Sequence, residues 1–336
     1  MLTQNHKVTL MSLVALRRFL PILPLIASLA VLPKAASADA ITQLGISYAY
    51  YDPVSLVLKD QGFLQKAVGP GVSINWVLSQ GSNKALEFLR GNGIQFGQTA
   101  GSAALLGRAN GAPVQAIGVT TNAEWTAIVV PANSPIKTLA ALKGKRVAAT
   151  PGTDPAIFLL RALASVGLTG NDITLVPLQH PLGRQALAAG QVDAWAGLDP
   201  FMGEAQLQDH AVLIYRNPKF ISPGTLLVRT DFEAAHPDVV KQVLTAYNQA
   251  RNWAIANPEG TAEILARESH LPLDVAKLQL SRSHFQGEAL NQADQAAILA
   301  AGPALQSSGK LTAGANLQQA GATLVNTSFT TELGLK

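Results

Sequence analysis

The 336-residue chain has no cysteine. That excludes disulfides, thiol catalysis, cysteine-based zinc or iron–sulfur sites and attachment through a lipidated N-terminal cysteine. Its six histidines, His6, His180, His210, His236, His270 and His284, show no metal spacing, and no His-Glu-x-x-His occurs. Gly-x-Ser-x-Gly, Gly-Lys-Ser/Thr and a glycine-rich dinucleotide fingerprint after a strand are missing as well. Asp193 and Asp199 are no acid pair, because Asp193 lies inside an expected strand with its partner six residues on. No catalytic group, metal or cofactor is therefore expected.

Charge is also scarce, at 14% of residues against 48% hydrophobic, and the mean hydropathy is +0.20. Much of the apolar excess sits in residues 1–38, which carry Lys7, Arg17, Arg18 and Lys34 but no acid. An apolar run from Phe19 to Leu32 follows the arginines, then Ala36-Ser37-Ala38. This is the pattern of a secretory signal peptide, cut after Ala38. The run is 14 residues long and contains Pro21 and Pro24. It falls short of the roughly 20 residues of an ordinary membrane-spanning helix. Arg17-Arg18-Phe19-Leu20 only loosely resembles a twin-arginine signal, so general secretion is expected.

Removing the leader takes four basic residues from 25, leaving 21 against 21 acidic ones. The pI of 9.3 belongs to the leader, and a near-neutral mature chain excludes nucleic acid as a partner. A soluble exported protein without a lipid anchor is best retained behind an outer membrane, so the periplasm is the expected location, and a monomer the expected state.

Within the mature chain one unit recurs. Leu89-Arg90-Gly91-Asn92-Gly93-Ile94-Gln95-Phe96 and Leu187-Ala188-Ala189-Gly190-Gln191-Val192-Asp193-Ala194 each read as a helix end, a tight turn and a short strand. Their offset, 187 less 89 or 98 residues, is the size of a small domain and predicts two similar lobes. Strand and helix signals alternate through both, which argues α/β lobes with mostly parallel sheets flanked by helices. Helices are expected over Pro237 to Ala256, Thr261 to Ser269, Leu273 to Leu280 and Gln292 to Ala300, wrapping the lobe that begins the chain. Asp52 is placed to cap a helix starting at Pro53.

Ligands of such sheets bind where strands end and helices begin. Three strand ends have small and polar residues suited to this: Gly81-Ser82-Asn83, Thr99-Ala100-Gly101-Ser102 and Gly152-Thr153-Asp154. Each alone is explained equally well as an ordinary helix cap; three divided between two lobes suggest a shared cleft. Together they could surround an anion or zwitterion with few formal charges, each helix terminus contributing about 0.3 to 1 kcal/mol. Tyr48, Tyr50 and Tyr51 are at the end of the first strand, and Trp125 and Trp195 are placed near the cleft, where aromatics could pack an apolar tail, although for any single one core or lobe packing is the commoner role. Arg184 could clamp an acid group bidentately, although a surface role serves it as well. Asp52, Asp154 or Asp199 could receive an ammonium group.

Several segments resemble the periplasmic binding proteins of sulfonate, taurine and nitrate importers: Tyr51-Asp52-Pro53-Val54-Ser55-Leu56-Val57, Gly81-Ser82-Asn83-Lys84-Ala85-Leu86, Val129-Val130-Pro131 with Ser134-Pro135-Ile136-Lys137, Leu142-Lys143-Gly144-Lys145-Arg146-Val147-Ala148, Gly152-Thr153-Asp154, and Val192-Asp193-Ala194-Trp195 with Asp199-Pro200. The likeness covers almost the whole mature chain. It implies a two-lobed, type II-like fold, with residues 39–128 and 223–336 as lobe I with a helical tail and 129–222 as lobe II. Hinges are expected near Ala127 to Pro131 and Ser222 to Val228. The resemblance further implies one small organic anion held between the lobes and passed to the membrane subunits of an ABC permease. The Gly81 and Gly152 loops look closest to aliphatic sulfonate binders, with taurine, nitrate or a thiamine-precursor pyrimidine as alternatives and a periplasmic enzyme as a rival. Leu198 departs from the Trp often found just before the Asp-Pro. The expected ligand contacts are Tyr50, Tyr51, Gly81, Ser82, Asn83, Thr99, Ala100, Gly101, Ser102, Trp125, Gly152, Thr153, Asp154, Arg184 and Asp199.

Overall fold

Alternating strand and helix signals resolve into two α/β lobes in the computed structural model, which describes residues 40–285 and 287–336. The leader and its cut after Ala38 lie outside the described residues. Lobe I begins with β1 (Gln43–Tyr48), α1 (Pro53–Asp60), α2 (Phe63–Val68), β2 (Ser73–Leu78), α3 (Ser82–Arg90), β3 (Phe96–Ala100), α4 (Gly101–Ala109) and β4 (Val114–Ala123). Lobe II follows with β5 (Thr126–Val130), β6 (Arg146–Ala149), α5 (Asp154–Ala164), β7 (Thr174–Pro177), α6 (His180–Ala188), β8 (Ala194–Leu198), α7 (Phe201–Gln208) and β9 (Val212–Tyr215). The chain returns through β10 (Gly224–Arg229), α8 (Thr230–Ala235), α9 (Pro237–Ala256), α10 (Pro258–Ser269), α11 (Leu273–Leu280) and β11 (Ser283–His284), then short helices.

The repeated unit marks equivalent places in two matching sheets. From Phe96 to Ala194, the starts of β3 and β8, is 194 less 96 or 98 positions, and the strands end 98 apart at Ala100 and Leu198. Lobe I orders its strands β2-β1-β3-β10-β4 with β11 at the far edge, and lobe II orders its own β7-β6-β8-β5-β9. β3 and β8 hold the third place in each.

The sheets are less uniformly parallel than the alternation suggested. β1 pairs parallel with β2 and β3, and β6 with β7 and β8, but β10 runs antiparallel to β3 and β4, and β5 to β8 and β9. The reversed strand is the first after each crossing between lobes. It therefore enters its sheet from the edge at which the parallel strands finish.

The crossings also differ from expectation. Ala127 to Val130 lies inside β5, buried and paired on both sides, so the first crossing is at Glu124-Trp125. The second occupies residues 216–223, because most of the expected Ser222 to Val228 segment is β10.

Apolar spacing explains how lobe I closes. On α9, started by Pro237, the residues Val240, Val243, Leu244, Tyr247, Ala250 and Ala254 recur every three to four positions and are buried. They form one core with Leu44 and Ile46 of β1 and Val54, Leu56, Val57 and Leu58 of α1. The tail returns to the same lobe, where the Asn326 N–H donates to the Ala116 carbonyl at 2.9 Å. Trp195, expected near the cleft, is wholly buried in a lobe II core with Ala148, Leu187, Met202 and Ala205. A residue in the middle of β8's pairing with β5 and β6 must choose a face, and Trp195 packs over Gly183 of α6.

Candidate functional site

Both lobes and both crossings meet at one carboxylate. Asp154 is the first residue of α5 and is 2% exposed. Its Oδ1 accepts hydrogen bonds from the Ser102 hydroxyl of α4 at 2.5 Å and from the Ser222 hydroxyl of the second crossing at 2.8 Å. Its Oδ2 accepts from the indole Nε1–H of Trp125, on the first crossing, at 3.0 Å. Burial raises the Asp154 pKa, opposed by the hydrogen bonds from Ser102, Trp125 and Ser222.

A small void adjoins this carboxylate, walled by Tyr51, Ser82, Ala100, Trp125, Thr153, Pro155 and Leu198. The Tyr51 and Trp125 rings meet edge to face, centroids 6.1 Å apart at 85°. Tyr51 is fixed from behind, its hydroxyl donating to the Gln98 carbonyl at 2.9 Å. The Gln98 side chain accepts from Ser47 Oγ at 2.7 Å and donates to the Tyr247 hydroxyl, which donates to Asp52 Oδ2 at 3.3 Å. Asp52 therefore does not cap α1 with its side chain as expected; burial lifts its pKa to about 7 against the pull of Arg251. Gln98 in the middle of β3 and Tyr247 of α9 thus hold the aromatic wall in place.

Tyr51 and Leu198 also line a second cavity, of about 140 Å³, together with Tyr50, Ser79, Gln80, Pro181, Asp199 and Phe201 among others. Tyr50 and Asp199 stand in this wall. The Asp199 carboxylate is committed elsewhere: Arg282 Nη1 lies 3.1 Å from each oxygen, and the Gly203 N–H donates to Oδ1 at 2.9 Å. Burial moves the Asp199 pKa up to about 6, opposed chiefly by Arg282. A larger cavity of about 270 Å³ borders Pro151 and Gly152 and is lined mainly by Leu106, Ile157, Leu160, Ile173 and Leu305, with Lys310 at its wall.

The Gly81 and Gly152 loops meet beside the void. An added Cβ on Gly152, which holds a left-handed φ of 78°, would stand 3.7 Å from Asn83 Cβ; one on Gly81 would stand 3.2 Å from His180 Nε2. Asn83 Oδ1, His180 Nε2 and Gln179 Oε1 are buried with no protein partner. Burial lowers the His180 pKa to about 3, so its ring is neutral, with Nδ1 3.3 Å from Thr150 Oγ1.

Of the sequence-predicted contacts, Tyr51, Ser82, Ala100, Ser102, Trp125, Thr153 and Asp154 gather at the carboxylate and void, with Gly81, Asn83 and Gly152 alongside. Three fall elsewhere. Thr99 belongs to β3 rather than a loop, and its hydroxyl pairs with Thr225 across the sheet. Gly101 faces Ile298, whose Cγ1 would lie 2.4 Å from an added Cβ. Arg184 pairs with Glu204 and Asp209 at 3.0 Å each. Thr153, read as a capping side chain, instead donates its hydroxyl to the Thr150 carbonyl at 2.7 Å. Ser222, Ser79 and His180 escaped the reading as contacts; Ser222 lay in an expected hinge, while His180 had been weighed only as a metal ligand. Among the described residues no three His, Cys, Asp or Glu side chains gather as a metal site.

The description "NMT1/THI5 like" belongs to a family model that matches residues 55–261, spanning both lobes. The chain belongs to the NMT1/THI5-like family. Among members' relatives, a putative aliphatic sulfonates-binding protein of Bacillus subtilis is 31% identical over 213 residues, covering 62% of this chain and 64% of that protein. The chain thus spans just under two thirds of that relative. A protein of the same description from Escherichia coli K12 is 30% identical over 242 residues, 71% of this chain and 76% of its own. In structure this NMT1/THI5-like chain is similar to the alkanesulfonate-binding protein SsuA of Xanthomonas axonopodis pv. citri bound to MOPS, with a TM-score of 0.76, 29% identity, and coverage of 85% and 99%. The periplasmic aliphatic sulphonate binding protein SsuA of Escherichia coli gives 0.72 and 26%, covering 82% and 96%. The two-lobed binding-protein fold follows. A desulfurization enzyme, DSZB, shares the fold at 17% identity and a TM-score of 0.64.

Proposed function

We propose that this protein is the solute-binding component of an ABC importer and captures a small organic sulfonate between its lobes. The observation that carries the reading is the convergence of both lobes and both crossings on the void at Asp154, with a second cavity walled by Tyr50 and Gln80 from lobe I and Pro181 and Phe201 from lobe II. A ligand there touches every moving part, so it stabilises the closed arrangement over the open one. Sulfonate chemistry comes from the relatives' descriptions. The mature chain works as a monomer in the periplasm, binds without turnover, and hands its ligand to membrane permease subunits that read closure.

Titration calorimetry of the mature chain with ethanesulfonate, 2-aminoethanesulfonate, nitrate, sulfate and a matching carboxylate tests the assignment. Binding of a sulfonate tighter than that of the carboxylate is expected. Binding of the carboxylate alone would defeat it.

A further inference from the structure

His180 opens α6 on lobe II and is wholly buried, with its ring turned toward the other lobe. Gly81 of lobe I stands against it: a Cβ added there would lie 3.2 Å from Nε2. The φ of Gly81, 170°, is ordinary extended backbone, so this glycine serves the close approach of the lobes rather than a special conformation. Behind the ring, the Thr150 hydroxyl gives its one hydrogen to the Leu178 carbonyl at 2.7 Å, so toward Nδ1, 3.3 Å away, it can only accept. Nδ1 therefore carries the ring hydrogen, and Nε2 presents its lone pair to the seam between the lobes. That atom is buried without a protein partner.

A proton on Nε2 would put a cation into this seam with nothing to balance it. Burial alone lowers the His180 pKa, and no charged group contributes. The charges on the surrounding elements are engaged elsewhere. Arg184, one turn along α6, pairs with Glu204 and Asp209; Lys84 of α3 pairs with Glu87; Arg146 and Asp193, at the far ends of β6 and β8, pair with each other. Asp154 is held by Ser102, Ser222 and Trp125, and Asp199 by Arg282, while burial keeps Tyr50 and Tyr51 neutral. When the lobes part, the Gly81 face withdraws and water reaches Nε2. The ring then returns toward its ordinary value of 6.5, held a little lower by its place at a helix N-terminus.

We propose that His180 is a proton gate on closure: docking Gly81 of lobe I over its ring expels the proton from Nε2, so ligand capture releases a proton and weakens in acid. The proposal rests on the closure of the lobes about a ligand. Above about pH 7 the ring is neutral in both forms and affinity is level; as pH falls, only the open form gains the proton, and affinity falls with it. Asp154 and Asp199 act in the opposite sense, because closing over a carboxylate whose pKa burial raises takes a proton up. Release, rather than uptake, is therefore the mark of His180.

Imidazole NMR of the mature chain, and calorimetry with ethanesulfonate, which stays ionised throughout, test it, with His180→Gln and His180→Asn as neutral comparisons. In the ligand-free chain the His180 ring should titrate at about pH 6, and in the bound chain it should stay neutral down to about pH 4 with its hydrogen on Nδ1. At pH 5, binding to the wild type should release about 0.9 proton more than binding to either variant, read from buffers of different ionisation heat. Between pH 8 and pH 5 the wild type should lose about tenfold more affinity than the variants. A ring that does not titrate between pH 5 and pH 8 in the ligand-free chain, a reading that needs neither ligand nor variant, would overturn the gate. Equal proton counts in wild type and variants, with ethanesulfonate bound, would overturn it and leave the sulfonate reading standing. A ring titrating at about pH 6 in a chain that binds no ethanesulfonate at either pH would support the gate and defeat the sulfonate reading.

Discussion

Replacing Arg282 with methionine should destabilise the protein through a specific and pH-dependent cost. Arg282 and Asp199 are 8% and 1% exposed, and the guanidinium contacts both carboxylate oxygens at 3.1 Å while also donating to Gln206. In Arg282→Met the carboxylate stays buried with the Gly203 N–H as its remaining close donor. Removing one partner of a buried pair costs about 3 to 5 kcal/mol. At about 2 to 4 °C per kcal/mol for a domain of 150 to 250 residues, the melting temperature should fall by roughly 6 to 20 °C at pH 7.5. The Asp199 pKa is already raised to about 6 in the folded chain, from an ordinary value of 3.8. Loss of the arginine raises it further. Because the folded pKa exceeds the unfolded one, the folded state holds the extra proton, and the penalty grows as pH rises from about 4 through the folded pKa. Arg282→Met should therefore lose much less at pH 5 than at pH 7.5, and adding Asp199→Leu should restore most of the loss at pH 7.5. Calorimetric melting of the wild type, Arg282→Met and the double variant at both pH values reads this. A shift of under 2 °C, or one equal at both pH values, would refute the reasoning.

Asp52 should give a related pH signature: with its folded pKa near 7, wild-type stability should fall from pH 4 to pH 7 relative to Asp52→Asn, as melting profiles of the pair would report. Gly183→Ala places a Cβ 2.5 Å from Trp195 Nε1 in the lobe II core, and overpacking of that kind should cost about 1 to 3 kcal/mol in denaturant unfolding. Arg184→Ala should weaken its pairs with Glu204 and Asp209 and lower stability by about 1 kcal/mol. Sulfonate affinity by calorimetry should be unchanged, because Arg184 is not a cleft contact.

The repeated unit was fully legible, because a helix end, a glycine turn and an apolar strand are local features and each copy occupies the same place in its sheet. The long helix α9 matched its expected bounds for similar reasons, with Pro237 at its start and Asn257-Pro258 after its end. Strand direction was not legible: nothing in Thr126-Ala127-Ile128-Val129-Val130 says that it enters its sheet reversed, since that follows from where the crossing falls. Asp154 stands out in the sequence because glycine, a hydroxyl residue and an acid before an apolar helix form a local signal. Its donors were legible only in part, since Ser222 lies 68 positions away and reaches it through the second crossing. Arg184, expected as a ligand contact, and Trp195, placed near the cleft though core packing was the commoner reading, were drawn away for a shared reason. A cation pairs with whatever acids the neighbouring helix presents, and an indole in a central strand takes whichever face has room.

The most direct test is a crystal structure of the mature chain with a bound sulfonate. The account predicts ligand density between the lobes, beside Tyr51, Trp125 and Asp154 and continuing past Leu198 toward Phe201. Density confined to the 270 Å³ cavity behind Gly152, or to an outer surface of either lobe, would contradict it.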